Sequence, residues 1–114
     1  MLVEDCLFCG IVAGDVDADV VHRTERTVVF RDLNPQAPTH VLVVPRDHYA
    51  NAAELAAGDP AASAELVATA AAVATAEGYA DYRLVFNTGA GAGQSVFHTH
   101  LHVLAGRPFT WPPG

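Results

Sequence analysis

The segment His98-Thr99-His100-Leu101-His102-Val103-Leu104 decides how this chain is read. Extended backbone sends alternate side chains to opposite faces. A strand here puts His98, His100 and His102 on one face, with Thr99, Leu101 and Val103 on the other. The second set packs on a core, and the first turns three imidazoles toward one space. Two chemistries suit such a face. A His-x-His pair on a strand presents two ring nitrogens to zinc. Alternatively, a neutral imidazole attacks phosphorus while a neighbour steers protons. The ordinary imidazole pKa of about 6.5 leaves a neutral fraction at physiological pH. A single histidine elsewhere, such as His22, reads as an ordinary surface residue.

Just before the histidines lies Thr88-Gly89-Ala90-Gly91-Ala92-Gly93-Gln94-Ser95. Glycines allow backbone N–H groups to come close to an anion, and Gln94 and Ser95 add polar side chains. No Gly-Lys-Ser/Thr follows, so this is not a Walker A loop, and it opens no helix as a dinucleotide fingerprint would. A glycine loop by itself is commonly only a turn. Directly ahead of a histidine face, it makes a phosphate pocket the better reading than a bare metal site.

Farther out, the pattern predicts an α+β fold. A short helix is expected over Asp5 to Ala13, ended by Gly14 and Asp15. Val20 to His22 and Thr27 to Arg31 read as β-branched strands in a hairpin, turned by Thr24-Glu25-Arg26. Pro35 and Pro38 mark a loop, Leu33 to Thr39. His40 to Val44 then reads as a buried central strand stopped by Pro45. Asn51 and Glu54 have capping-box spacing for a brief helix through Ala57. Asp59 and Pro60 open a longer one to about Glu77, stopped by Gly78, with an apolar stripe of Leu66, Val67, Ala70, Val73 and Ala74. Tyr82 to Asn87 and Thr99 to Ala105 complete the strands, and the proline-rich tail Pro108 to Gly114 is irregular. Strands, then helices, then strands suit one mostly antiparallel sheet with helices on one side.

Length and composition bound the rest. The chain has 114 residues, enough for one domain, and is 51% apolar and 17% charged, which fits a folded protein. Six basic and thirteen acidic residues give a net charge of −7, a poor match to nucleic-acid backbones or anionic membranes. Neither a basic n-region nor a long apolar stretch marks a targeting or spanning segment, so a cytoplasmic setting is expected. Cys6-Leu7-Phe8-Cys9 is too tight for a useful loop-closing disulfide and is half of a zinc site by spacing.

The run HTHLHVL resembles the histidine-triad signature, His-φ-His-φ-His-φ-φ with φ apolar; Thr99 is its one departure. FRDLNPQAPTHVLVVPRDHY, GQSVFHTHLHVLAGR and the terminal Trp111-Pro112-Pro113-Gly114 are similar to the histidine-triad nucleotide-binding branch of that family, from Leu7 to Gly114. The resemblance implies a single domain spanning residues 1–114, with a five-stranded antiparallel sheet paired into a homodimer with a continuous ten-stranded sheet. It implies hydrolysis of purine nucleoside phosphoramidates to a nucleoside monophosphate such as AMP or GMP. His100 would be the nucleophile and would form a nucleotidyl-histidine intermediate. His102 would contact the phosphate and bridging atom, and His40 would support the nucleophile by orientation. Asp32 would accept the ribose hydroxyls. Asn87, Gly93, Gln94 and Ser95 fall at the phosphate, with Ser95 helping to protonate the leaving amine. Phe8, Phe30 and Leu33 would line a slot for the base, although Phe8 and Phe30 also read as plain core.

Related proteins also imply a structural zinc held by Cys6, Cys9, His48 and His98. That ligand set would close the tetrahedron and keep His98 out of the chemistry. Three other readings stand beside the phosphoramidase. One is a dinucleoside polyphosphate hydrolase of the neighbouring branch, disfavoured by the short chain and the WPPG ending. Another is a nucleotide-binding regulatory protein with incidental catalysis. The last is a zinc hydrolase using the triplet as ligands.

Overall fold

The computed structural model describes Val3 and residues 5–114. In chain order the elements are α1 (Leu7–Ala13), β1 (Val20–Arg23), β2 (Thr27–Arg31), β3 (Thr39–Pro45), α2 (Ala52–Gly58), α3 (Pro60–Ala76), β4 (Tyr82–Val85) and β5 (Leu101–Ala105), with a 3-10 turn at Ala90–Ala92. Five strands form one sheet in the order β1-β2-β3-β5-β4, and every pairing is antiparallel. Sequence order fails once, where β5 inserts between β3 and β4. That insertion sets His102 opposite Leu42 on the central strand.

Alternation along β2 and β3 divides the core in two. Val29, Val41 and Val43 pack with Leu101 and Val103 against Leu55 of α2 and Leu66, Ala70, Val73 and Ala74 of α3. Val28, Phe30, Leu42 and Val44 face the other way and meet Phe8 and Ile11 of α1. Helices therefore cover both faces, which corrects the expectation of one covered side. The histidine face is the one closed by α1. α3 is held on its face at both ends. Asp59 accepts from the Ala62 amide at 3.1 Å and Pro60 sits in the first turn. Glu77 bonds Arg31 and Thr39. In midhelix, Glu65 ties the β1–β2 turn through the Thr24 hydroxyl and the Arg26 amide.

Most element boundaries agree with the sequence reading to within two residues. Val67 does not belong to the buried stripe; about 100° round the helix from Leu66, it is 47% exposed. α1 begins at Leu7 because the Cys6 sulfur accepts from the Cys9 amide at 3.4 Å, as an N-cap would. β5 begins at Leu101 rather than Thr99. The Thr99 amide and hydroxyl both donate to the Tyr49 carbonyl, at 2.7 and 2.9 Å, so that residue is bonded outside the sheet. β4 stops at Val85, two residues short of the expected Asn87.

Candidate active site

The three imidazoles do share the α1 face, but each is turned to a different task. His98 is fully buried, and its Nε2 donates to the Pro45 carbonyl at 2.8 Å. A carbonyl only accepts, so the neutral ring carries its proton on Nε2 and its lone pair on Nδ1. That nitrogen lies 3.4 Å from Cys6 Sγ and 3.5 Å from Cys9 Sγ. His100 is arranged the opposite way. Its Nδ1 donates to the His98 carbonyl at 2.8 Å, which leaves the lone pair of the neutral ring on Nε2. Phe8 stands edge-on to His100 at 5.0 Å and to His98 at 6.0 Å, so it walls both rings.

His102 belongs to a third arrangement. The Gln36 amide donates to His40 Nδ1 at 3.0 Å, so neutral His40 carries its proton on Nε2. His40 Nε2 lies 2.9 Å from His102 Nδ1 and 3.5 Å from Asp32 Oδ2. The His40 proton is thus given to His102 Nδ1, and His102 keeps its own proton on Nε2. Burial drives the His102 pKa down to about 4, helped by neighbouring His100 and His40 and opposed by Asp32. Burial lowers His40 too, again against Asp32. Both rings are neutral near pH 7, so the tautomer assignment applies there. Asp32 is itself set by the Asn34 amide, which donates to its Oδ1 at 2.8 Å.

Beside the histidines lies an apolar slot of about 240 Å³, lined by Phe8, Ile11, Phe30, Leu42, Asp32 and Leu33 among others. Phe8 and Asp32 are common to the slot and to the histidine contacts, and they join the two regions. Leu33 is wholly exposed at the rim rather than buried in the wall. Ile11 and Leu42 were not anticipated, although Ile11 follows Phe8 by one helical turn and Leu42 alternates with His40. The backbone groups that fix the tautomers, the His98 carbonyl and the Gln36 amide, have no residue-type signal at all.

The glycine loop is bonded largely to itself. Amides of Gly89, Ala92, Gly93 and Gln94 all donate within the loop, to Gln94 Oε1, the Gly89 carbonyl and the Ala90 carbonyl. The Gln94 side chain is buried and gives both amide protons to the Ala50 and Val96 carbonyls, so neither remains for a phosphate. Gln94 and Gly93 shape this loop rather than offer it to an anion as free donors. Asn87 is half-buried beside Gly93. Ser95 is exposed and lines a separate depression with Cys6, Leu7, His48 and Phe97.

Cys6, Cys9, His48 and His98 bring four ligand atoms within 4.8 Å of one another, and both cysteines are free thiols. His48 Nδ1 lies 3.5 Å from Cys9 Sγ. A tetrahedral zinc with bonds of about 2.3 Å to sulfur and 2.0–2.1 Å to nitrogen sets S···N edges of about 3.6 Å. The donor set and its spacing can therefore hold such an ion. The three rings of the triplet do not converge on one ion, because His98 Nδ1 faces the thiols. That counts against a zinc hydrolase with all three rings of the triplet as ligands, while Asp32, His40 and His102 lie close enough to one another to share an ion.

Comparison with known proteins agrees with this geometry. A model of the HIT domain matches residues 13–109. The chain is 43% identical over 112 residues to an uncharacterized HIT-like protein of Synechococcus elongatus, covering 97% of this chain and 98% of that one. It is 36% identical over 109 residues to the purine nucleoside phosphoramidase of Escherichia coli K12, covering 94% and 92%. Among solved structures, a HIT family hydrolase from Legionella pneumophila superposes with a TM-score of 0.92 at 46% identity, covering 96% of this chain and 100% of that chain. Sequence, fold and histidine arrangement converge on one statement: this chain belongs to the HIT domain family.

Proposed function

We propose that this protein hydrolyses purine nucleoside 5′-phosphoramidates. The base lies in the slot of Phe8, Phe30, Ile11 and Leu42, and Asp32 accepts the ribose hydroxyls. His100 Nε2 attacks the α-phosphorus, the P–N bond breaks, and the amine departs with a proton. In this reading His102 Nε2–H faces the phosphate and bridging nitrogen, and the exposed Ser95, which lines the neighbouring depression, turns its hydroxyl to the leaving amine to assist that proton transfer. Water then displaces His100 from phosphorus, which releases the nucleoside monophosphate and the neutral ring. One observation carries this reading: the 2.8 Å bond from His100 Nδ1 to the His98 carbonyl, which reserves Nε2 for attack. The E. coli relative's name gives the same substrate class. The test compares kcat/KM on an adenosine phosphoramidate and on diadenosine polyphosphates. Preference for the phosphoramidate supports the proposal; preference for the polyphosphates moves the protein to the neighbouring branch.

We further propose a structural zinc and a homodimer. The four ligands at Cys6, Cys9, His48 and His98 are read as holding a structural zinc, which would pin the chain just ahead of β5 to α1. The protein is also read as a homodimer. β4 is a four-residue strand at one edge of the sheet, with Tyr82 and the following Phe86 each 37% exposed. Such an edge is open to pairing with its own copy.

A further inference from the structure

Gln36 is bonded on both sides of its α-carbon, and its second partner lies far along the chain. Its amide donates to His40 Nδ1 at 3.0 Å, and its carbonyl accepts from Arg107 Nε at 2.7 Å. Arg107 follows β5 and is itself fixed. Its Nη1 donates to the Pro108 carbonyl at 3.0 Å, and its guanidinium lies 4.3 Å from the Phe109 ring centroid. Gly106, at φ +98°, brings that corner so close to the Gln36 loop that a Cβ there would meet Pro38 at 2.8 Å. The loop holding Gln36 carries two prolines and is largely exposed, so its register depends on such anchors.

We propose that Arg107 is a positioning residue that sets the tautomers of His40 and His102 through the Gln36 backbone. The chain of contacts is continuous: Arg107 to the Gln36 carbonyl, the Gln36 amide to His40 Nδ1, His40 Nε2 to His102 Nδ1. A neutral imidazole has one proton and two nitrogens, so its tautomer follows whichever neighbour can only donate or only accept. The Gln36 amide can only donate. While it is held on His40 Nδ1, His102 must present Nε2–H to the reacting atoms. Without the Arg107 anchor the amide drifts, His40 can move its proton to Nδ1, and His102 is left with both tautomers populated. Only one of those offers a proton at Nε2.

The direct test is nitrogen-15 NMR of histidine-labelled protein at neutral pH, on wild type, Arg107→Ala, Arg107→Lys and Arg83→Ala. Arg83 also lies over Phe109, at 5.2 Å, but donates to the Thr110 carbonyl, whereas the Gln36 carbonyl accepts from Arg107. It therefore controls for simple anchoring of the tail. The expected result is a single Nε2–H tautomer for His40 and His102 in wild type and in Arg83→Ala. Arg107→Ala should show a mixture, and Arg107→Lys, which keeps a donor, a smaller departure. The effect on turnover rests on the phosphoramidase reading: kcat falls about five- to tenfold in Arg107→Ala with KM within twofold. The tautomer signals do not depend on any substrate, so an inactive wild type would overturn that reading without touching this one. Unchanged tautomers in a folded Arg107→Ala, or an equal shift in Arg83→Ala, would overturn the role of Arg107. Should Arg107→Ala not fold, a partial mixture in Arg107→Lys supports the role, and wild-type tautomers there count against it.

Discussion

At the scale of single residues, three imidazoles, His40, His98 and His100, are each paired with a backbone group that can only give or only take a proton, and His102 takes its orientation from His40. His98 and His100 both donate to backbone carbonyls, but from opposite ring nitrogens, and so they present opposite lone pairs. Residue types marked the rings that share this face. They could not predict these orientations, because the deciding partners are peptide groups at Pro45, His98 and Gln36. Thr99, the one departure from the apolar pattern, is explained by its hydroxyl bond to the Tyr49 carbonyl. Phe8 was legible only as either core or slot, and the structure makes it both. It is 5% exposed, packs on Phe30 at 5.3 Å and walls His100. Phe8→Ala should destabilise the fold by about 3–5 kcal/mol, measured by urea denaturation, and should reduce turnover in the folded fraction. A loss below 1 kcal/mol with full activity would remove Phe8 from this role.

At the scale of elements, periodicity made the strands and helices readable because each buries one regular face. Capping residues at Asn51 and Asp59 fixed two helix starts. What the pattern could not show was that α1 crosses to the opposite face of the sheet from α2 and α3. The side a short helix takes is set by long-range packing, here Phe8 and Ile11 on Phe30 and Leu42. The glycine loop shows a related limit: composition reports freedom of the backbone, not where its amides go, and those of Gly89, Ala92, Gly93 and Gln94 go to partners inside the loop. The chain ahead of β5 is tied to α1 through His98 and the two cysteines. If zinc occupies that cluster, a chelator should lower the melting temperature by about 10 °C or more, and Cys9→Ser should do the same. The fraction still folded should keep its turnover, since the ion would be structural. Lost turnover at an unchanged melting temperature would give the metal a catalytic role instead.

At the scale of the whole molecule, acid should weaken the fold over a defined window. The unfolded chain takes up protons near pH 6.5, whereas folded His102 refuses one until about pH 4. Stability therefore declines as pH falls from 6.5 toward 4, with a slope of up to about 1.4 kcal/mol per unit from His102, and His40 adds to it in the same direction. Denaturation midpoints measured across that range test this; a flat profile would mean the rings are not buried neutral. Sedimentation at micromolar concentration should give twice the chain mass, and a monomer there would end the ten-stranded reading. The central claim is that His100 Nε2 bonds to phosphorus. The most direct test is acid-quenching a reaction with an adenosine phosphoramidate and measuring the intact protein mass. An added adenylyl group on wild type, absent from His100→Ala, is the predicted result. Turnover by wild type with no adduct at the earliest times, or an adduct that persists in His100→Ala, would contradict it.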